Sequence, residues 1–367
     1  MMGKIGILTF HNVINYGGVL QCMALQDFLK SYNYEVEVIN YKSKHISENN
    51  KLIKCSSMPN LIKSFLTFPF NYVRKKRYNR FIKNNLVLTA EVKSYKKLKK
   101  LCEEKYDYVI VGSDQVWNSE ITGEEASIYF LENVNVNKLS YAASTGDDKI
   151  KDINRIIKNY RKFKAVSVRE ESTYKKLLSQ DINVELNIDP TFLLKNDYWN
   201  TRTSEDGVIS ENSLLLYILG KNDKIPQFCH NIKKQKNIEK IYTFSKQKFG
   251  VKGIKSIATS GPLEFLNHFR TSKYILTNSF HGTAFSIIFK KEFFVMLPEK
   301  RPERLISLLN KLGLENRIIS DVENLNKIIN DKIDYKNIEK KLENERNKSL
   351  KYITKVIGGK TNENYNR

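Results

Sequence analysis

Short apolar runs alternate with amphipathic stretches along most of the chain, in two successive series. In the first series, residues 5–10, 35–41, 106–111, 139–143, 165–168 and 184–188 read as strands. Helical patterns over 19–31, 94–104 and 150–162, and a helix opening at Glu170, separate them. The second series has strands over 214–219, 240–244, 274–276 and 293–296 and helices over 225–235, 262–269, 284–289 and 305–312, with further helices over 324–331 and 335–354. The strand runs are mostly apolar throughout, as strands covered on both faces of a parallel sheet must be. A chain of 367 residues also exceeds what one hydrophobic core organises. The expectation is an α/β protein of two Rossmann-like domains facing a cleft. They span 1–195 and 196–354, with the crossing over 195–212 and a polar tail over 355–367.

Charge limits the partners. Lys and Arg number 62 against 40 Asp and Glu, a net charge of +22. The surplus either favours an anionic partner or reflects a Lys, Asn and Ile bias scattered over the whole length. No zinc-finger, homeodomain or RNP-type pattern is present, so dedicated nucleic-acid binding is not expected. Cys22, Cys55, Cys102 and Cys229 are far apart and form no CxxC pair, which argues against a disulfide framework or a zinc cluster. The start, Lys4-Ile5-Gly6-Ile7-Leu8-Thr9-Phe10, lacks the layout of a signal peptide, and no apolar run reaches the roughly 18 residues of a spanning helix. A cytoplasmic protein, working at the inner face of the membrane if its basic segment binds lipid, is the expectation.

Polar residues collect where strands end. Residues 274–276 lead into Thr277-Asn278-Ser279-Phe280-His281-Gly282-Thr283, which reads as strand, tight turn and helix start. Open α/β sheets bind ligands there, and a helix N-terminus favours anions, although a helix cap beside a structural histidine has the same sequence. The first strand opens into His11-Asn12-Val13-Ile14-Asn15-Tyr16-Gly17-Gly18, where glycines either let backbone approach a ligand or only form the turn. After 106–111 stands Gly112-Ser113-Asp114-Gln115-Val116-Trp117-Asn118. A carboxylate, an aromatic face and amides suit a polyhydroxylated ring, and Asp114 suits removal of a hydroxyl proton; the alternative is an Asp that caps a turn. Arg169 follows the 165–168 strand, placed to fork onto a carboxylate or phosphate or to pair internally with Glu170 or Asp189.

The alternation breaks over 42–90. Leu61, Phe65, Phe68, Tyr72 and Val73 recur there at helical spacing beside Lys63, Arg74, Lys75, Lys76, Arg77 and Arg80. Such a segment is either a helical flap packed on its own domain or a peripheral contact with an anionic membrane.

Taken in order, these landmarks resemble the polysaccharide pyruvyl transferase family. The residues that carry the likeness are Gly6-Ile7-Leu8-Thr9 through Asn15-Tyr16-Gly17-Gly18, Gly112 to Asn118, Ser167-Val168-Arg169-Glu170, Asp189-Pro190-Thr191 and Ser279-Phe280-His281-Gly282. It runs over residues 4–318, ending in Leu312-Gly313-Leu314-Glu315-Asn316-Arg317. The resemblance implies a GT-B-like fold and transfer of the pyruvyl group of phosphoenolpyruvate onto two hydroxyls of one sugar as a cyclic ketal. The acceptor would be a glycan of a bacterial-type surface polysaccharide or its lipid-linked precursor. Arg169 and His281 fall on positions like those that the family uses for phosphoenolpyruvate. The family often carries Arg two residues before the histidine, where this chain has Ser279.

On that reading the donor site is Arg169, Ser279, His281, Gly282 and Thr283, with Arg304 as a second cation or a salt-bridge residue. His281 would be the acid that protonates the enol. The acceptor side is Asn15, Gly17, Gly18, Ser113, Asp114, Trp117 and Asn118, with Asp114 as base and Trp117 stacked on the sugar. No cofactor is expected beyond phosphoenolpyruvate as co-substrate, and no His, Cys and Asp cluster at ligand spacing suggests a metal. Two rivals use the same residues. A nucleotide-sugar glycosyltransferase would hold a diphosphate with His281 and Arg169. A non-enzymatic binder of anionic glycan or nucleic acid accounts for the charge but not for the polar strand ends.

Overall fold

The computed structural model describes residues 3–43, 45, 58–146, 153–203, 207–246 and 249–358. The chain divides into two compact units. Unit 1 comprises Met1–Lys51, Ile82–Leu194 and Leu342–Arg367, and unit 2 comprises Leu52–Phe81 and Lys195–Lys341.

Unit 1 is built on the parallel strands β1 (Lys4–Leu8), β2 (Glu35–Val38), β3 (Tyr108–Val111) and β4 (Asn137–Ser140), in the order β2-β1-β3-β4. Bridges Leu139–Ala165 and Ala143–Val168 continue the sheet into the parallel pair β5 (Ser167–Val168) and β6 (Glu185–Leu186). Chain order reverses direction at β1, which has β2 on one side and β3 on the other, the position where open α/β sheets place their ligands. Helices α1 (Tyr16–Ser31), α2 (Met58–Asn85), α3 (Tyr95–Lys105), α4 (Ile153–Tyr160) and α5 (Glu171–Leu178) punctuate these strands. Val109, Val111, Leu98, Cys102, Trp117, Phe130 and Leu177 share one buried cluster.

Unit 2 repeats the plan. Strands β7 (Ser213–Tyr217), β8 (Lys240–Thr243), β9 (Lys255–Ser256), β10 (Tyr274–Thr277) and β11 (Glu292–Val295) form a parallel sheet in the order β11-β10-β7-β8-β9. Its reversal lies between β7 and β10. Helices α6 (Ile225–Gln235), α7 (Pro262–Thr271), α8 (Phe280–Ile288) and α9 (Glu303–Leu312) connect and cover the strands. Leu214, Leu216, Phe228, Ile232, Leu276 and Phe294 pack together on this sheet.

Two long helices run across the division. Residues 52–81, read from sequence with the first domain, cluster with unit 2, while the end of α10 (Tyr335–Ile357) clusters with unit 1. The reason is physical: an amphipathic period shows that a helix has a face to bury, not which sheet receives it. In α2, Tyr78, Phe81 and Ile82 are buried, whereas Phe68, Phe70, Tyr72 and Val73 are exposed. Side chains 58–66, including those of Leu61, Lys63 and Phe65, lie outside the described residues. So do Cys55 and the tail beyond Gly358, and no helix among the described residues is long and apolar enough to cross a membrane.

Candidate active site

Each unit presents a polar constellation at its point of strand-order reversal. In unit 1 the loops after β1 and β3 are stitched together: Thr9 Oγ1 donates to the Ser113 carbonyl at 2.8 Å, Gln21 Nε2 donates to Thr9 Oγ1 at 3.1 Å, and the Ser113 N–H donates to Gln21 Oε1 at 3.3 Å. Ser113 Oγ lies 3.0 Å from the Ala142 carbonyl and 3.3 Å from Asp189 Oδ2, so it serves this network. Asp114 then takes a left-handed backbone, φ 68°, which Asp tolerates better than most side chains. Its carboxylate accepts the Gln115 N–H at 2.9 Å and stays 6% exposed. A Cβ on Gly18 would stand 3.5 Å from Asp114 Oδ2 and 2.8 Å from Val13 Cγ2; glycine there brings the first turn of α1 against the carboxylate.

Arg169, expected to clamp a donor anion, is spent internally. Its Nη1 lies 2.5 Å from Asp189 Oδ2, Nε 3.6 Å from Glu170 and Nη2 4.0 Å from Asp114, with its side chain 3% exposed. Burial alone lowers its pKa; the carboxylates of Asp189, Glu170 and Asp114 outweigh that and raise it. An incoming anion would meet three carboxylates beside one guanidinium. This is an acidic, internally paired cluster, in which Arg169 holds the carboxylates in place. Glu170 accepts from Ser144 Oγ, and Asp189 caps the Pro190–Phe192 turn through the Thr191 N–H and hydroxyl.

Three other acceptor residues have structural work. Trp117 is 1% exposed, stacks on Phe130 with centroids 5.3 Å apart, and donates its indole N–H to the Tyr129 carbonyl. Buried this way, it cannot stack on a sugar. Asn15 caps α1 by accepting the Gly18 N–H, and Asn118 caps the short Ser119–Thr122 helix by accepting the Glu120 N–H at 3.0 Å. Gly17 and Gly18 are buried in the first turn of α1. His11 joins these loops without being a candidate on its residue type alone. It lies beside Thr9 with Nδ1 3.2 Å from the Thr9 carbonyl and Nε2 3.1 Å from Asn40 Oδ1, and burial lowers its pKa. Its position immediately beyond a buried strand was the available signal.

In unit 2 the helix starts earlier than its apolar run suggests. α8 begins at Phe280, so His281, Gly282 and Thr283 occupy its first turn. Ser279 is the N-cap, accepting the Gly282 N–H at 3.4 Å, while the Thr283 hydroxyl donates back to the Ser279 carbonyl at 3.1 Å. These two hydroxyls, expected on a donor, stabilise the helix start instead. Asn278 closes the reversal point, bonding the Leu219 N–H at 2.7 Å and the Leu219 carbonyl at 2.9 Å. A Cβ on Gly282 would stand 2.2 Å from Thr277 Oγ1 and 2.9 Å from Tyr217 Cδ1, so only glycine lets α8 approach β7 and β10 this closely. His281 sits in this first turn, 6% exposed, its ring edge-on to Phe280 at 5.2 Å. Arg304 is half-buried in the first turn of α9. Among the described residues, no group of three or more His, Cys, Asp and Glu is arranged to hold a metal ion.

Solved structures similar to this one span nearly the whole chain. The UDP-GlcNAc 2-epimerase of Methanocaldococcus jannaschii, in complex with UDP-GlcNAc and UDP, is 16% identical with a TM-score of 0.52, over 96% of this chain and 98% of that one. The UDP-N-acetylglucosamine 2-epimerase of Rickettsia bellii is 10% identical with a TM-score of 0.54, over 97% of each chain. MnaA of S. aureus, solved with UDP, is 11% identical with a TM-score of 0.55, over 97% of this chain and 96% of that one. At such identities the likeness establishes the fold alone, which is α/β with parallel sheets and GT-B-like. No curated protein matches the sequence. The model of a sequence family does, that described as polysaccharide pyruvyl transferase, over residues 15–299. That span holds both Asp114 and His281, and the chain belongs to the polysaccharide pyruvyl transferase family, which makes it a transferase.

Proposed function

We propose that the chain moves the pyruvyl group of phosphoenolpyruvate onto two hydroxyls of one sugar in a bacterial-type surface polysaccharide or its lipid-linked precursor, forming a cyclic ketal. The carrying observation is the family match over residues 15–299. The geometry supports it through a buried histidine in a helix's first turn in unit 2 and a carboxylate held in a left-handed backbone in unit 1. In this reading His281 gives a proton to the methylene carbon while a sugar hydroxyl oxygen bonds to the neighbouring carbon and its proton passes to Asp114. The carbon–oxygen bond to phosphate breaks, its electron pair leaving with phosphate. The second hydroxyl closes on the same carbon and its proton goes to the phosphate. Arg169 acts by positioning Asp114, and the first turn of α8 receives the donor's negative charge. No step requires a redox cofactor.

The test is a donor screen: purified protein, a candidate glycan, and either phosphoenolpyruvate or a UDP-sugar. Phosphate release from phosphoenolpyruvate that depends on the glycan is the expected result. Consumption of the UDP-sugar with phosphoenolpyruvate intact would instead establish the nucleotide-sugar transferase. For a lipid-linked acceptor, the exposed Phe68, Phe70, Tyr72 and Val73 beside Arg74, Lys75 and Lys76 support peripheral contact with an anionic membrane from the cytoplasmic side. Co-sedimentation with phosphatidylglycerol vesicles should fall on Phe70→Glu/Tyr72→Glu; equal sedimentation of both proteins would remove the membrane from the account.

A further inference from the structure

The strands of unit 1 have a second charged end. A cavity of about 640 Å³ lies where β5 and β6 begin, lined by Ala165, Val166, Asn183 and Glu185. Arg169 follows β5 at its other end, so this cavity and the Asp114 constellation occupy opposite ends of one sheet. Five cations line the cavity, namely Arg161, Lys164, Lys348, Lys351 and Lys355, against the single carboxylate of Glu185. Lys348, Lys351 and Lys355 recur at three- and four-residue spacing on one face of α10. Lys348 is paired with Glu345 at 2.6 Å, whereas Lys351 and Lys355 make no ion pair with a described residue. The wall is apolar behind these charges: Phe163 and Tyr352 are buried, Tyr352 donating its hydroxyl to the Ser140 carbonyl at 2.7 Å, and Tyr160 is half-buried with Arg161 over its ring at 5.9 Å. The α10 residues lie beyond the 15–299 span that carries the family match.

Like charges gathered round a concavity repel one another, and an anion relieves that repulsion. The volume is that of a ligand site, larger than an inorganic ion requires. We infer that this cavity is a second binding site, for a carboxylate-bearing stretch of saccharide, which holds already acidic glycan away from the reacting end of the sheet. The ligand class rests on the proposed function, because each ketal formed adds one carboxylate to the chain. The half-buried Tyr160 ring offers one stacking face for a sugar, and the cations around it take the carboxylates.

The experiment measures binding, not turnover, so it stands apart from the donor screen. Oligogalacturonate and neutral dextran of equal length are titrated calorimetrically into wild-type protein and into Lys351→Glu/Lys355→Glu, at two salt concentrations. Both substitutions lie on an exposed helix face, and unchanged circular dichroism checks folding. Oligogalacturonate should bind the wild type in a salt-sensitive manner and the variant at least about tenfold more weakly, with dextran binding neither. Equal affinity of both proteins for oligogalacturonate, or equal binding of dextran, would overturn the site. Tighter binding of a single-stranded DNA of the same charge would overturn the saccharide and make the cavity a nucleic-acid site.

Discussion

Arg169 carries a buried charge whose stability depends on its neighbours. With 3% of its side chain exposed and Asp189 at 2.5 Å, it is the only cation that the described ion pairs give Asp114, Glu170 and Asp189. Arg169→Ala would strand those carboxylates in the interior, at a cost of about 3–5 kcal/mol. Chemical denaturation should show that loss; an unchanged midpoint with lost turnover would return Arg169 to the donor. The sequence offered both partners, Glu170 next door and Asp189 twenty positions on, but only the pairing of β5 with β6 decides between anion and carboxylate. His268 gives a pH prediction. Burial, foremost, pushes its pKa from 6.5 to about 4. The unfolded chain gains that proton as pH drops below 6.5 and the folded chain only near 4, so stability is full above 6.5 and declines through that window. The shift is worth about 3 kcal/mol, with His11 adding in the same direction. Denaturation at several pH values should show a shallower decline for His268→Gln; an identical decline would place the titration elsewhere. His281→Ala should slow transfer by roughly 10²–10⁴-fold with the fold intact, as loss of a general acid does; unimpaired kcat would end its role.

At the scale of elements, the start of α8 is the most constrained feature of unit 2. Gly282→Ala drives a methyl group toward Thr277 Oγ1 and the Tyr217 ring, an overpacking cost of about 1–3 kcal/mol. Ser279→Ala removes a cap worth about 0.5–2 kcal/mol, which Ser279→Asp should restore. Thermal melts of the three variants check this, and a Gly282→Ala protein as stable as the wild type would contradict the close approach of helix and sheet. The strands were legible because continuous apolar runs such as Tyr108–Val111 have few other uses. The motif residues were less so. Ser279, Asn15 and Asn118 have the same chemistry whether they cap a helix or hold a ligand, and Trp117 sits in a polar heptapeptide yet packs against Phe130. Composition identifies a group that needs a partner; tertiary packing supplies the partner.

At the scale of the whole molecule, two parallel sheets were readable from strand spacing, but the return of α10 to unit 1 was not. Arg346 Nε donates to the Phe192 carbonyl at 2.8 Å and Tyr352 to Ser140, contacts across more than 150 positions that no local pattern announces. Ending the chain at Lys341 should therefore strip hydrogen-exchange protection from β4, β5 and β6 while β7 and β10 keep theirs; uniform loss in both units would refute their separate cores. The proposed reaction cleaves the carbon–oxygen bond of phosphoenolpyruvate and protonates its methylene. The direct measurement is the reaction run in deuterated water with bridge-labelled phosphoenolpyruvate and a glycan acceptor, followed by NMR and mass analysis of both products. The account predicts a ketal whose new methyl group carries one deuterium and a phosphate that keeps the bridging oxygen. A glycan lacking that methyl group, or bridge label left on carbon, would contradict it.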